Sequence, residues 1–149
     1  MGGSLVLTFV RVEYNGVNMA DSIFTKIIQG EIPCHKVYED DRTLAFLDIH
    51  PIQPGHTLVI PKKQIEYVWD LPDDDYRALM ATTKKVANRL REVFADKSRV
   101  ALVIEGLDVA HAHLKLFPFN SDEEFHHQPD LHAEPDHPAL AAIAKTLAF

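Results

Sequence analysis

The stretch whose reading decides this chain is Ala110-His111-Ala112-His113-Leu114-Lys115-Leu116-Phe117-Pro118. Side chains alternate along an extended strand, which puts His111, His113 and Lys115 on one face and Ala112, Leu114 and Leu116 on the other. Same-face neighbours then stand about 6–7 Å apart, two rises of about 3.3 Å. The apolar face can enter a core, while two imidazoles and an ammonium suit a phosphate or a metal ion.

Upstream, Arg99 to Glu105 predicts a partner strand, joined to His111–Phe117 through Gly106-Leu107-Asp108. Lys36–Glu39 and Thr43–Asp48 flank the Asp40-Asp41 turn and predict a second hairpin. His56 to Pro61 follows the loop marked by Pro51, Pro54 and Gly55, and is rich in β-branched and apolar residues, as a strand is. Ser22 to Gly30 predicts a short helix. Asp21 or Ser22 can cap it, Phe24, Ile27 and Ile28 form its apolar face, and Gly30 stops it.

Asp73-Asp74-Asp75 suits the positive end of a long helix reaching to about Asp96. Leu79, Thr83, Val86, Leu90 and Val93 face inward at helical spacing, and Lys84, Lys85, Arg89 and Arg91 form a solvated face. Five strands with two main helices indicate an α+β domain on an antiparallel sheet. Asn120 to Pro135 is a polar, proline-broken tail, in which His126, His127 and His132 read, with His137 beyond it, as solvated residues rather than metal ligands. Ala139 to Ala148 predicts a short terminal helix capped by Asp136.

At 149 residues the chain makes one domain, and its formal charge of −7 argues against broad binding to nucleic acid or anionic membrane. Cys34 is the single cysteine, which excludes an internal disulfide and fits a reducing cytoplasm. No apolar run approaches the roughly 18–20 residues of a membrane span. Met19-Ala20-Asp21-Ser22 looks like a more natural start. Residues 1–20 therefore read as an N-terminal extension, with Leu5 to Tyr14 at most an added strand.

Ser22 to Asp41, Ala45-Phe46-Leu47-Asp48-Ile49-His50-Pro51, Pro54-Gly55-His56-Thr57-Leu58-Val59-Ile60-Pro61-Lys62-Lys63 and His111-Ala112-His113 together resemble the histidine triad (HIT) superfamily, in the order and spacing of its small Hint-like branch. The resemblance covers residues 21–119, leaving 120–149 as a C-terminal tail. It implies a five-stranded sheet continued across a homodimer. It also implies a hydrolase or nucleotidyl transferase acting at the α-phosphate of a nucleoside phosphoramidate or related nucleotide ester, with no cofactor and no metal.

By that resemblance His113 attacks phosphorus, His111 orients it, Lys115 occupies the place of the third histidine, and His56 lies beside the phosphate. Asp48 would hold the ribose hydroxyls, as a carboxylate can accept from both. Phe24, Ile27, Phe46 and Ile49 would form the base pocket, and Asp108 falls where a phosphate-binding Ser or Thr is usual. A neutral imidazole supplies a lone pair, and a covalent nucleotidyl-histidine divides one hard step into two.

Three departures stand out. A lysine ammonium ordinarily titrates at about 10.4, a poor match for shuttling protons near neutrality. Asp108 would repel phosphate unless neutralised, so Asp108 and Lys115 are expected to form a compensating ion pair. The Cys-x-x-Cys of zinc-containing relatives is Ser22-Ile23-Phe24-Thr25 here. Two rival readings follow: a nucleotide-binding regulatory module with weakened catalysis, and a metal-dependent hydrolase using His111, His113 and His56.

Overall fold

A computed structural model describes residues 20–149; the expectation for Leu5 to Tyr14 lies outside the described residues. Along the chain run α1 (Ile23–Ile28), β1 (Lys36–Glu39), β2 (Thr43–Leu47), β3 (Thr57–Pro61), a single 3-10 turn (Val68–Asp70), α2 (Asp73–Val93), β4 (Arg99–Val103), β5 (Leu114–Phe119), α3 (Asp122–Phe125) and α4 (His137–Leu147). The strands form one antiparallel sheet in the order β1-β2-β3-β5-β4, the α+β architecture expected.

Every residue of β2 and β3 is buried, because both faces of the sheet's centre are covered. Ala45, Leu47, Val59, Leu114 and Leu116 join Leu79, Val86 and Leu90 of α2 and Leu140, Ala144 and Leu147 of α4 in the main core. The alternate residues Leu44, Phe46, Leu58 and Ile60 meet Phe24 of α1 on the opposite face. The second face is where the site lies. Arg89 of α2 donates to the carbonyls of Thr146 and Leu147 at 2.8 and 3.0 Å, so a charge read as solvated instead holds the end of α4.

The strand carrying the histidines is displaced from its expected position. It begins at Leu114, not His111, and runs to Phe119. Opposite the histidines β3 ends at Pro61, which has no N–H to offer. The Pro61 carbonyl accepts from the His111 ring, and the Ala112 N–H turns to the Ile65 carbonyl at 2.7 Å. The expected facing survives nonetheless, with Ala112, Leu114 and Leu116 in the core. The link from β4 is correspondingly long, spanning residues 104–113.

The tail also differs from the solvated segment expected. Ser121 caps α3, and Phe125 packs against Phe117 and Phe119 with ring centroids 5.5 and 5.3 Å apart. Gln53 and His50, from the loop before β3, donate to the tail carbonyls of Glu124 and Ala133 at 2.9 and 3.0 Å. Asp136 caps α4 through Ala139 N–H, as the sequence predicts.

Candidate active site

Residue geometry assigns the tautomers. The His113 Nδ1 lies 2.8 Å from the His111 carbonyl, which can only accept, so Nδ1 carries the proton. In the neutral ring Nε2 is then a bare lone pair. His113 orientation therefore comes from the backbone of His111. The His111 ring does something else: its Nε2–H donates to the Pro61 carbonyl at 2.8 Å, and its Nδ1 accepts the Ser22 hydroxyl at 2.8 Å. Burial lowers the His111 pKa, against the opposing effect of the Pro61 bond, with nearby His113 lowering it further.

Ser22 and Thr25, the two positions that are cysteine in zinc-containing relatives, thus meet His111. Gln64 completes this polar cluster by accepting from the Ser22 N–H and the Thr25 hydroxyl. Sequence reading missed Gln64, since nothing local marks a glutamine as the partner of a helix start 42 residues away.

Phe24 stands edge-on to His113, with ring centroids 5.2 Å apart, and to Phe46 at 5.7 Å. With Ile27, Ile49, Leu58 and Val109 they line an apolar cleft of about 270 Å³ that ends at Asp48, Asp108, His113 and Lys115. All four residues proposed for a base pocket are in it. Cys34 and Val109 join them unanticipated.

Asp48 Oδ1 accepts the His50 N–H at 2.8 Å, which turns the carboxylate at the end of β2. Its Oδ2 lies 3.7 Å from His56 Nε2, longer than a hydrogen bond. His56 is 2% exposed, and its Nδ1 accepts the Ile52 N–H at 3.0 Å. The remaining proton therefore sits on Nε2, which has no hydrogen-bond partner among the described residues. Gly55 allows this placement: it has φ +94°, and a Cβ there would meet Phe94 of α2's end at 2.7 Å.

The expected pairing of Asp108 with Lys115 is incorrect. Lys115 Nζ instead lies 2.7 Å from Glu105 Oε1, and that ammonium holds the Glu105 carboxyl below the usual range. The β4–β5 register explains the choice. Val103 is opposite Lys115, so Glu105, two residues on, projects on the same side within reach of the long lysine. Asp108 has no ion pair with Lys115 but lines the cleft beside it. Glu105, expected only as the end of a strand, is a site neighbour that the sequence does not mark, because its partner depends on hairpin register.

A second cleft of about 350 Å³ adjoins the first and shares Asp48, Asp108 and Lys115 with it. Its far wall is the tail, including Phe125, His126, His127 and Leu131, and His56 lines it from the sheet side. Among the described residues no group of three or more histidine, cysteine, aspartate or glutamate side chains stands in an arrangement to hold a metal ion. His111, His113 and His56 are not brought together as ligands.

Burial lowers the His56 pKa to about 4; Asp48 opposes that shift, and Lys115 and His113 reinforce it. An unfolded histidine takes its proton near pH 6.5, so in this window the unfolded chain binds more protons than the folded one. His56's contribution is whole above pH 6.5 and is withdrawn as pH falls towards 4. At about 1.4 kcal/mol per pH unit it amounts to about 3 kcal/mol. Urea midpoints measured between these limits are expected to fall steeply with acid, with a flatter slope for His56→Gln. An equal slope in that variant would assign the acid sensitivity elsewhere.

Comparison with known proteins adds the following. The sequence profile described as the HIT domain matches residues 29–121. An uncharacterised HIT-like protein of Methanocaldococcus jannaschii is 41% identical over 99 residues, covering 64% of this chain and 77% of its own. An adenosine 5′-monophosphoramidase of Schizosaccharomyces pombe is 35% identical over 105 residues, covering 68% of this chain and 76% of its own. The crystal structure of a Hit-like protein from Bartonella henselae, described as involved in cell-cycle regulation and bound to an unknown ligand, superposes with a TM-score of 0.72 at 29% identity. That match covers 85% of this chain and 94% of the other.

Proposed function

Because the chain belongs to the HIT domain family, we propose that it binds a nucleotide and hydrolyses or transfers at the α-phosphate of a nucleoside phosphoramidate or related ester. One observation carries this reading. His113 presents a bare Nε2 at the end of an apolar cleft, its tautomer set by the His111 carbonyl.

In the proposed reaction the base lies among Phe24, Ile27, Phe46 and Ile49, and Asp48 accepts from the ribose hydroxyls. His113 Nε2 forms a bond to phosphorus as the bond to the leaving nitrogen breaks. The departing nitrogen takes a proton from the Lys115 ammonium. Water then attacks the nucleotidyl-histidine, its proton returns to lysine, and the imidazole is restored. An ammonium is a reluctant donor, so its larger contribution is charge against the phosphoryl oxygens. The relative named as a monophosphoramidase supports this substrate class.

The same reading includes a homodimer in the cytoplasm. β4 closes one side of the sheet with no further strand beyond it among the described residues. Leu102 on that strand, with Tyr67 and Trp69 of the preceding turn region, is exposed. Such an edge beside apolar side chains suits pairing with a second copy.

A second reading has an observation of its own. Asp108 lines the cleft where phosphate would sit, and Lys115 is already paired to Glu105. Both features weaken phosphate attraction, as in a regulatory module that binds nucleotide without turnover. The protein is expected to sediment as a dimer and to release AMP from adenosine 5′-phosphoramidate with no metal added. AMP binding without release of product would favour the module. Activity lost to a chelator and regained with zinc would favour metal-dependent hydrolysis.

A further inference from the structure

The His113 tautomer rests on the carbonyl of His111, and the peptide carrying that carbonyl is held from its far side. In a trans peptide the C=O and the following N–H point in opposite directions. The Ala112 N–H donates to the Ile65 carbonyl at 2.7 Å, so the His111 carbonyl is aimed the other way, at His113 Nδ1. The His111 ring is held as well, by the Ser22 hydroxyl at Nδ1 and by the Pro61 carbonyl at Nε2. Behind these holds lies one dipeptide between β3 and the 3-10 turn, Gln64-Ile65.

We propose that Gln64 is a positioning residue for His113, acting through Ser22, Thr25 and the His111 ring. The proposal rests on the phosphoryl-transfer reading above. It adds a residue that sets the nucleophile while lining neither cleft.

The direction of each bond in the cluster carries it. The Ser22 N–H can only donate, so the Gln64 atom 2.9 Å from it is the amide oxygen. The amide nitrogen then donates to the Ala20 carbonyl at 2.9 Å. The same oxygen takes the Thr25 hydroxyl proton. Thr25 Oγ1 stands 3.4 Å from His111 Nδ1, and with its proton committed to Gln64 it has none to give there. Ser22 Oγ accepts the Thr25 N–H at 2.9 Å and is left as the donor to Nδ1 at 2.8 Å.

A donor at Nδ1 and an acceptor at Nε2 fix the neutral His111 ring in one tautomer and one orientation. His111 is 0% exposed, which makes a lost ring bond costly. Without the Gln64 oxygen, the Thr25 hydroxyl competes with Ser22 for Nδ1 and the Ser22 N–H loses its acceptor. The start of α1 is then no longer tied to the segment that holds the Ala112 N–H. A tilt of the His111 ring carries its own carbonyl with it, and His113 loses its aim. Aim matters, because a misplacement of about 1 Å can cost about a hundredfold in rate.

Gln64→Leu keeps the bulk of the side chain and removes both amide groups. Long-range proton–nitrogen correlation spectra read each imidazole tautomer directly. Wild-type protein is expected to show His111 protonated at Nε2 and His113 at Nδ1, and Gln64→Leu to show His113 as a mixture of tautomers. With adenosine 5′-phosphoramidate, kcat of Gln64→Leu is expected to fall about tenfold while its Kd for AMP stays within about twofold of wild type. Ser22→Ala is expected to give the same split. Joining the two substitutions should cost no more than the worse one alone, since both break one chain of bonds.

A single His113 tautomer surviving in Gln64→Leu, or additive losses in the double variant, would overturn the proposal. AMP affinity falling in step with kcat would do so too, by assigning Gln64 to the fold at large. The spectra do not depend on turnover. Tautomer mixing in Gln64→Leu with no AMP release by wild-type protein would sink the phosphoryl-transfer reading and leave the positioning of His113 by Gln64 standing.

Discussion

Replacing His113 by alanine is expected to lower AMP release from adenosine 5′-phosphoramidate about a thousandfold or more. The size follows from the role: with the imidazole gone there is no atom to hold the nucleotidyl group between two displacements. The ring also touches Phe24, so the variant opens space beside the base cleft, yet the other apolar walls stay in place. AMP is therefore expected to bind still, as titration calorimetry can show. In rapidly quenched wild-type protein, a nucleotidyl adduct should map to residue 113. Release surviving in His113→Ala at more than a tenth of the wild-type rate would rule out covalent catalysis through this residue.

Removing the charge of Lys115 is the second large effect. Lys115→Met leaves Glu105 and Asp108 facing the phosphate with no cation between them. A loss of about a hundredfold in kcat/KM is expected, about 2.7 kcal/mol of transition-state stabilisation. Part of that loss is repulsion from the abandoned Glu105, so adding Glu105→Gln should recover about tenfold. The double-variant arm is what distinguishes a coupled pair from two independent side chains. If Lys115→Met stays within twofold of wild type, Lys115 does not meet substrate, and the module reading gains.

Most of the architecture could be read from local pattern. β1 occupies the expected residues, β2 and β3 each lose one terminal residue, and α2 starts at Asp73 as its acidic first turn suggests. Ser22 caps α1 through the Thr25 N–H, as expected for a hydroxyl residue before an amphipathic turn. These features depend on neighbours within a few positions, and a sequence displays such neighbours directly. That Phe24, Ile27, Phe46 and Ile49 share one apolar cleft was legible through family resemblance, as they fall within two short motifs.

The errors have a common physical origin. The strand through His113 begins late because its partner ends at Pro61, a fact of sheet pairing across 50 residues. Lys115 was matched to Asp108 by opposite charge at adjoining site positions, whereas register on the β4–β5 hairpin brings Glu105 to it. The tail was read as solvated because it is polar and proline-broken. Phe125 docks it against Phe117 and Phe119, Gln53 and His50 bond its carbonyls, and docking turns an indifferent segment into one wall of a cleft.

By itself, then, the sequence determined the α+β sheet, because alternation and capping are local properties, and its motif order, through family resemblance, implied an apolar cleft with His113 beside it. Only the tertiary structure decided which nitrogen of His113 is bare, which carboxylate accompanies Lys115, and that the tail closes a second cleft. Each of those depends on a carbonyl, a register or a ring contributed from a distant part of the fold, and a hydrogen bond acts over about 3 Å whatever the separation along the chain.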